Sequence, residues 1–263
     1  MSPLASQLTF MIIIRNIFFL ALLSVSGLAQ VTSVKHEYLD SLPSRGAAAI
    51  IEGSNFTDGW SDQADDILRL PENIRGVTVT IDGAPCRLRG VSPTRIAFVI
   101  AYDTPAIEPV RLKWNRLEVR NSATGAVFPF RVYINDTSPW LIQMADGYVA
   151  GLVQNGSGFA MIVNGAIPVT PGGARVMLWG TGVFSNFRPE WQIYYIILID
   201  EEFNYYEIPG VTLSRGTMVF GWDNVIFDIS PAVAAQFAGK TLDLVLQTPS
   251  AFSQSVKVKI AMQ

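Results

Sequence analysis

Beyond residue 30, apolar residues recur at every second position in short runs. Val77, Val79 and Ile81 alternate with Thr78 and Thr80, the period of a strand with one buried and one solvated face. The same texture, rich in Val, Ile, Thr, Phe and Tyr, marks residues 96–101, 117–120, 128–134, 174–179, 192–199, 225–229, 242–247 and 256–262. Gly, Pro, Asn, Asp and Ser separate the runs, as turns require. Many short strands with frequent turn signals predict an all-β fold of sandwich type. Helical patterns are few. Residues 63–71 (QADDILRLP) and 230–239 (SPAVAAQFAG) each have room for a helical turn. The second carries Ser230 as N-cap, Pro231 at the first helical position and Gly239 as a stop.

The pattern also repeats. Residues 45–56 (RGAAAIIEGSNF) align with residues 172–183 (GGARVMLWGTGV) at an offset of 127, so that Gly46 meets Gly173, Ile51 meets Leu178 and Gly53 meets Gly180. Residues 95–100 (RIAFVI) align with 224–229 (NVIFDI) at 129, and 128–134 (FPFRVYI) with 256–262 (VKVKIAM) at 128. Three segments in one order at nearly one offset predict two copies of one fold, each the size of a single sandwich. The expected division is residues 30–137 and 138–263, with the boundary in INDTSPW, residues 134–140, where the strand pattern breaks.

Composition narrows the function classes. Charged residues are 16% of the chain and the hydrophobic group 49%, enough apolar material for a core and too much for disorder. The net charge is −3. The densest basic stretch, RLKWNRLEVR at residues 111–120, spaces its charges with apolar residues and reads as a solvated strand, so nucleic acid is not an expected partner. At the start, Arg15 precedes an apolar run from residue 17 to 25, followed by Ser26, Gly27 and Ala29. That is the layout of a secretory signal peptide over residues 1–29, cut before Gln30. The strongly apolar part is short for a membrane span, so no stable span is expected after cleavage. Met1 and Met11 both remain possible starts. Secretion or residence in the cell envelope is therefore expected. One cysteine, Cys86, rules out an intrachain disulfide, so the fold must rest on its core. The sequon-like triplets at Asn55, Asn135 and Asn155 read as turns.

In residues 76–102, GVTVTIDGAPCRLRGVSPTRIAFVIAY, Asp82-Gly83 has the residue pair that tolerates positive φ in a tight hairpin. Residues 86–88 are the expected returning strand, with Cys86 as a small packing residue. Residues 70–105, LPENIRGVTVTIDGAPCRLRGVSPTRIAFVIAYDTP, resemble the first half of a C-terminal domain family of exported acidobacterial proteins, the Solibacter type. PSRGAAAIIEGSNF (43–56), NGSGFAMIVNGAIPVTPGG (155–173) and TPGGARVMLWGTGV (170–183) resemble its opening, linking and second-half segments. The resemblance spans nearly all of residues 34–263. It implies two tandem immunoglobulin-like β-sandwich domains, similar to the IPT/TIG type, and no catalytic signature. Two departures stand out. Residues 94–97 (TRIA) replace a Gln-Ile-Asn, and residues 199–210 (IDEEFNYYEIPG) replace a Gly-Gly hairpin in the second half.

Candidate chemistry is sparse. His36 is the single histidine and lies far along the chain from Cys86, so neither a Cys-His nor a Ser-His-Asp arrangement is expected, and no G-x-S-x-G elbow occurs. One His and one Cys cannot close a zinc site, and no phosphate loop is present. No cofactor is expected. Asp58, Asp62, Asp65 and Asp66 gather in residues 55–66 without EF-hand spacing. They read as a solvated loop, with calcium as the open alternative. Aromatic residues are densest in residues 184–210. Phe187, Trp191, Tyr205 and Tyr206 are the candidate ligand contacts, toward strand ends where a ring can stack on a sugar or anchor a protein. The reading is a non-enzymatic, exported structural, adhesive or interaction module of the bacterial surface or periplasm, its partner a protein or glycan of the envelope. The alternative is a carbohydrate-binding module.

Overall fold

Alternating burial divides the chain into two cores. The computed structural model describes residues 30–39, 41–102, 104, 114–156, 158–184, 193–215 and 221–263. The first half contains β1 (Gln30–His36), β2 (Ala48–Ser54), β3 (Asp62–Gln63), β4 (Asn73–Ile74), β5 (Val77–Ile81), β6 (Ala84–Pro85), β7 (Arg87–Val91), β8 (Arg95–Val99), β9 (Asn115–Asn121) and β10 (Ala126–Val132). The second contains β11 (Trp140–Leu141), β12 (Gly151–Asn155), β13 (Gly158–Met161), β14 (Ala166–Val169), β15 (Ala174–Thr181), β16 (Tyr195–Ile199), β17 (Tyr205–Ile208), β18 (Thr212–Arg215), β19 (Asp223–Ile229), helix α1 (Pro231–Phe237), β20 (Thr241–Gln247) and β21 (Val256–Met262). The fold is all-β.

Four sheets result. In the first half one sheet has the order β1-β2-β8-β7-β3 and the other β10-β9-β5-β4, with β6 also on β5. In the second half the orders are β13-β12-β15-β19-β18, with β11 on β15, and β14-β21-β20-β16-β17. Neighbouring strands are antiparallel except β14 with β21. The path β1-β2-β8-β7 thus has the same form as β12-β15-β19-β18, and β10-β9-β5-β6 the same form as β21-β20-β16-β17.

Each pair of sheets encloses its own apolar cluster. Val77, Val79 and Ile81 of β5, with Leu117 and Val119 of β9, meet Leu88, Ile96 and Phe98 from the facing sheet. Val176, Leu178, Val225 and Phe227 meet Ile196, Leu198, Leu244 and Ile260 in the second half, where α1 adds Val233, Ala234 and Phe237. Most of these side chains have no exposed surface, each worth about 1.5–3 kcal/mol on burial. The first cluster ends at Ile134 and the second begins at Leu141.

Helix α1 forms where its caps predict. Ser230 Oγ accepts a hydrogen bond from Val233 N at 3.3 Å, and Gly239 follows at φ +77°. The helical turn expected at residues 63–71 does not form. Gln63 belongs to β3, which pairs with Val91 and Gly90. Asp66 Oδ1 instead accepts from Leu68 N at 2.8 Å, and Ile67 and Leu68 are exposed. A helix there would have no apolar face to bury, and a short helix without one is not stable. The strand expected over 192–199 begins at Tyr195, residue 192 lying outside the described residues.

The tight hairpin at Asp82-Gly83 has both residues at positive φ, 49° and 85°, as a type I′ turn demands. The returning strand is Ala84–Pro85, not residues 86–88. Cys86 is the crossing point. Its N–H still donates to Val79 O at 2.9 Å, while Arg87 pairs with Val99 in the other sheet. A residue passing between two packed sheets must be small, and Cys86 is fully buried.

Candidate functional site

The seam between the two halves is built from buried polar side chains. The strand-breaking residues 134–140 are not a loose tether, because Asp136, Thr137 and Ser138 are all buried. Arg45, 2% exposed, donates to Asp136 Oδ1 at 2.5 Å. Burial outweighs the attraction of Asp136 and draws the Arg45 guanidinium below its ordinary pKa. Ser250 Oγ donates to the other Asp136 oxygen at 3.3 Å, and Thr137 Oγ1 lies 2.7 Å from both Thr248 Oγ1 and Ser250 Oγ. Direct bonds also cross the seam. Ala48 N donates to Thr181 Oγ1 at 3.1 Å, and Ser44 Oγ to Gly182 O at 3.4 Å. Gly182 sits at φ +67°, and a Cβ there would lie 2.5 Å from Ser138 O and 2.7 Å from Ser44 Oγ. Only glycine lets the two backbones approach this closely.

A second line of contact runs from Tyr102. Its hydroxyl donates to Asp223 Oδ1 at 2.6 Å, its ring meets Phe184 edge-on at 5.7 Å, and the Arg215 guanidinium lies 4.2 Å from its centroid. Burial, and then the Asp223 charge, raise the Tyr102 pKa, so the phenol stays a donor. A cavity of about 360 Å³ opens beside it, lined in part by Glu72, Arg87, Tyr102 and Arg215. Arg87 is paired with Glu72 at 3.1 Å.

The two residues that a nucleophilic mechanism would need are sealed away. Cys86 has its thiol pushed up to about 12 by burial, so it stays protonated and inert. His36 is fully buried at the end of β1, and burial lowers its pKa to about 4. Its Nδ1 accepts from Tyr38 N at 3.2 Å, which holds the neutral ring.

Phe187 and Trp191 lie outside the described residues. Tyr205 and Tyr206 are adjacent in β17, opposite Ile199 and Leu198 respectively. Period two therefore sends them to opposite faces. Tyr205 is 71% exposed. Tyr206 packs on the second core, edge-on to Phe237 at 6.1 Å. The acidic hairpin before them is tied down by Asp200, whose Oδ1 accepts from Glu202 N and Asn204 N at 3.0 and 2.9 Å. The Asn204 side-chain bond, helped by these backbone donors, lowers the Asp200 pKa. At the turn Phe203 is 86% exposed with φ +63°, an outward ring that no strand periodicity marks. In the Asp-rich loop, Asp62 is held by Arg75 at 2.7 Å. Among the described residues no helix is long and apolar enough to cross a membrane.

The basic stretch at 111–120 holds residues that periodicity alone does not reveal. The Trp114 and Tyr133 rings stack at 3.5 Å between centroids, 26° from parallel. Two residues along, Arg116 faces Arg131 across the ladder. Trp114, Asn115, Arg116, Pro129, Phe130 and Arg131 line a cavity of about 490 Å³.

No family model and no curated protein matches the chain. Among solved structures, the sialic acid binding region of a Streptococcus sanguinis SK1 adhesin, bound to 3'sLn, aligns over 90% of this chain and 78% of that one, at 10% identity and a TM-score of 0.18. Superposition that poor does not amount to a shared fold, so neither its architecture nor its ligand carries over.

Proposed function

We infer that the chain is a non-catalytic, exported module of the bacterial cell envelope, built as two tandem immunoglobulin-like sandwiches that act as a stiff structural or adhesive unit. The observation that carries this reading is the seam. The buried Arg45–Asp136 pair pins the connecting stretch to the first sandwich and Ser250 ties Asp136 to the second, while the Ala48–Thr181 bond and the close fit at Gly182 join the two directly. A buried ion pair adds little net stability but punishes any other arrangement, which suits a unit that must hold a defined reach between two attachment points. The matched sheet paths of the two halves support the duplication, and the inert Cys86 and His36 support a role without covalent catalysis.

Export is the testable core of the reading. Expressed with its own first 29 residues in a bacterial host, the protein leaves the cytoplasm and its intact mass corresponds to a chain beginning at or near Gln30. Full-length protein retained in the cytoplasm overturns the assignment. Small-angle scattering of the mature chain then gives the dimensions of one elongated body. A distribution of inter-domain distances would instead show that the seam does not hold.

A further inference from the structure

On the outer face of the sheet β10-β9-β5-β4, successive cross-strand pairs follow the register of β9 and β10. Arg131 stands directly opposite Arg116, and Pro129 opposite Glu118. One step beyond the Arg pair, Trp114 stacks on Tyr133. Glu118 is shared by Arg116, at 2.9 Å, and Arg120. Asp82, at the margin, is taken up by Arg116 N at 2.7 Å and Asn115 Nδ2 at 2.8 Å. Arg131 is exposed and makes no ion pair with any described residue.

Like charges directly opposite on an antiparallel pair are destabilising. Glu118, most of it buried, takes Arg116 and Arg120 as its partners and leaves Arg131 without a carboxylate among the described residues. Beside these cations is a half-exposed indole, Trp114 at 48%, with one face stacked on Tyr133. The cavity of about 490 Å³ joins the two features.

We propose that the face formed by Trp114, Arg116 and Arg131 binds a carboxylate-bearing sugar, a uronate unit of an acidic polysaccharide. The sugar's C–H face lies on the exposed part of the Trp114 indole, an amphipathic surface suited to it. The carboxylate lies between the Arg116 and Arg131 guanidiniums, whose planar forks match it with paired bonds. The carboxylate also gives Arg131 the counter-charge it lacks among the described residues, so each part of the ligand answers a feature already present. A chain of either role, spacer or adhesin, can carry such a site, so failure of the sugar experiment leaves the export and seam tests standing.

The test uses the mature chain and trigalacturonate, with its methyl ester and maltotriose as uncharged controls and a short single-stranded oligonucleotide as a second polyanion. Calorimetry, with tryptophan fluorescence alongside, shows binding of trigalacturonate and little of either uncharged trimer. Arg131→Ala and Trp114→Ala each weaken it by about tenfold or more, while the far-UV circular-dichroism spectra stay those of the folded wild-type chain. Arg131→Lys keeps the charge but loses the paired geometry, and recovers only part of the affinity. Equal binding of the methyl ester, unchanged affinity in both alanine variants, or no binding to the wild-type chain each overturns the proposal. Binding of the oligonucleotide as tightly as the sugar also overturns it, showing a general polyanion surface.

Discussion

Acid should destabilise this protein through His36 in a way that can be isolated, because it is the single histidine of the chain. The ring is fully buried, Nδ1 already accepts from Tyr38 N, and Nε2 has no hydrogen-bond partner among the described residues. Protonating Nδ1 replaces that bond with a clash of two donors and places a charge in the core. The folded pKa is about 4 against an ordinary 6.5, with burial as its cause. The unfolded chain therefore binds a proton that the folded chain refuses. Stability from this residue is fully present above pH 6.5 and declines as pH falls toward 4. Linkage puts the loss at about 2 kcal/mol by pH 5 and about 3 kcal/mol by pH 4. Urea unfolding of wild type and His36→Asn across this range is the assay. The Asn amide oxygen reproduces the Nδ1 acceptor without titrating, so the variant starts less stable by a constant cavity penalty and loses less with acid. Carboxylates act on both proteins alike and cancel in the difference. The single imidazole resonance gives the folded pKa directly by NMR. A midpoint near 6.5, or parallel pH profiles for the two proteins, refutes the reasoning.

Removing one partner of the seam pair, by Asp136→Ala, should cost about 3–5 kcal/mol in chemical denaturation, because Arg45 is left charged and buried; replacing both by apolar residues should recover much of that loss. Cys86→Ala should cost about 1–2 kcal/mol, and a thiol reagent should label wild-type Cys86 only as fast as the protein opens. Tyr205→Ala should leave the melting temperature within error, while Tyr206→Ala lowers it, since only the second ring packs on Phe237; equal effects on melting would show that β17 does not alternate as described.

The strands were largely legible because alternation is a local signal that survives in any half-buried sheet. Val77–Ile81 and Val256–Met262 appear in the structure with the bounds their patterns predict, and α1 follows its caps. Residues 63–71 misled because Ile67 and Leu68 look like a helix stripe, although both are exposed and the Asp side chains bond to the local backbone instead. Tyr205 and Tyr206 show a different fault. Neighbours in a strand that packs one face on a core point opposite ways, and register with Ile199 and Leu198 decides which of the two reaches solvent. The aromatic count was visible in sequence, but the parity depends on where the hairpin places the returning strand.

Pairings across long stretches of chain leave no periodic trace. Arg45 and Asp136 are 91 residues apart, and each, read locally, is an ordinary charged residue in a turn. Arg116 and Arg131 are separated by a hairpin whose register alone sets them face to face. Read as a strand with solvated charges, residues 111–120 contain nothing unusual, yet on the outer face of β9 only Arg116 and Arg120 are exposed and Glu118 is buried. What changes the meaning of Arg116 is the identity of its cross-strand neighbour. An Arg opposite a Glu would be a surface ion pair worth a fraction of a kcal/mol. An Arg opposite an Arg, next to a stacked indole, leaves Arg131 without a carboxylate among the described residues, because Glu118 is taken by Arg116 and Arg120. The seam and the Arg pair thus share a logic. Each is a place where charge is held against its own preference, by buried partners at Asp136 in one case and by strand register in the other. Buried partners make the first a matter of architecture, and exposure leaves the second open to a ligand.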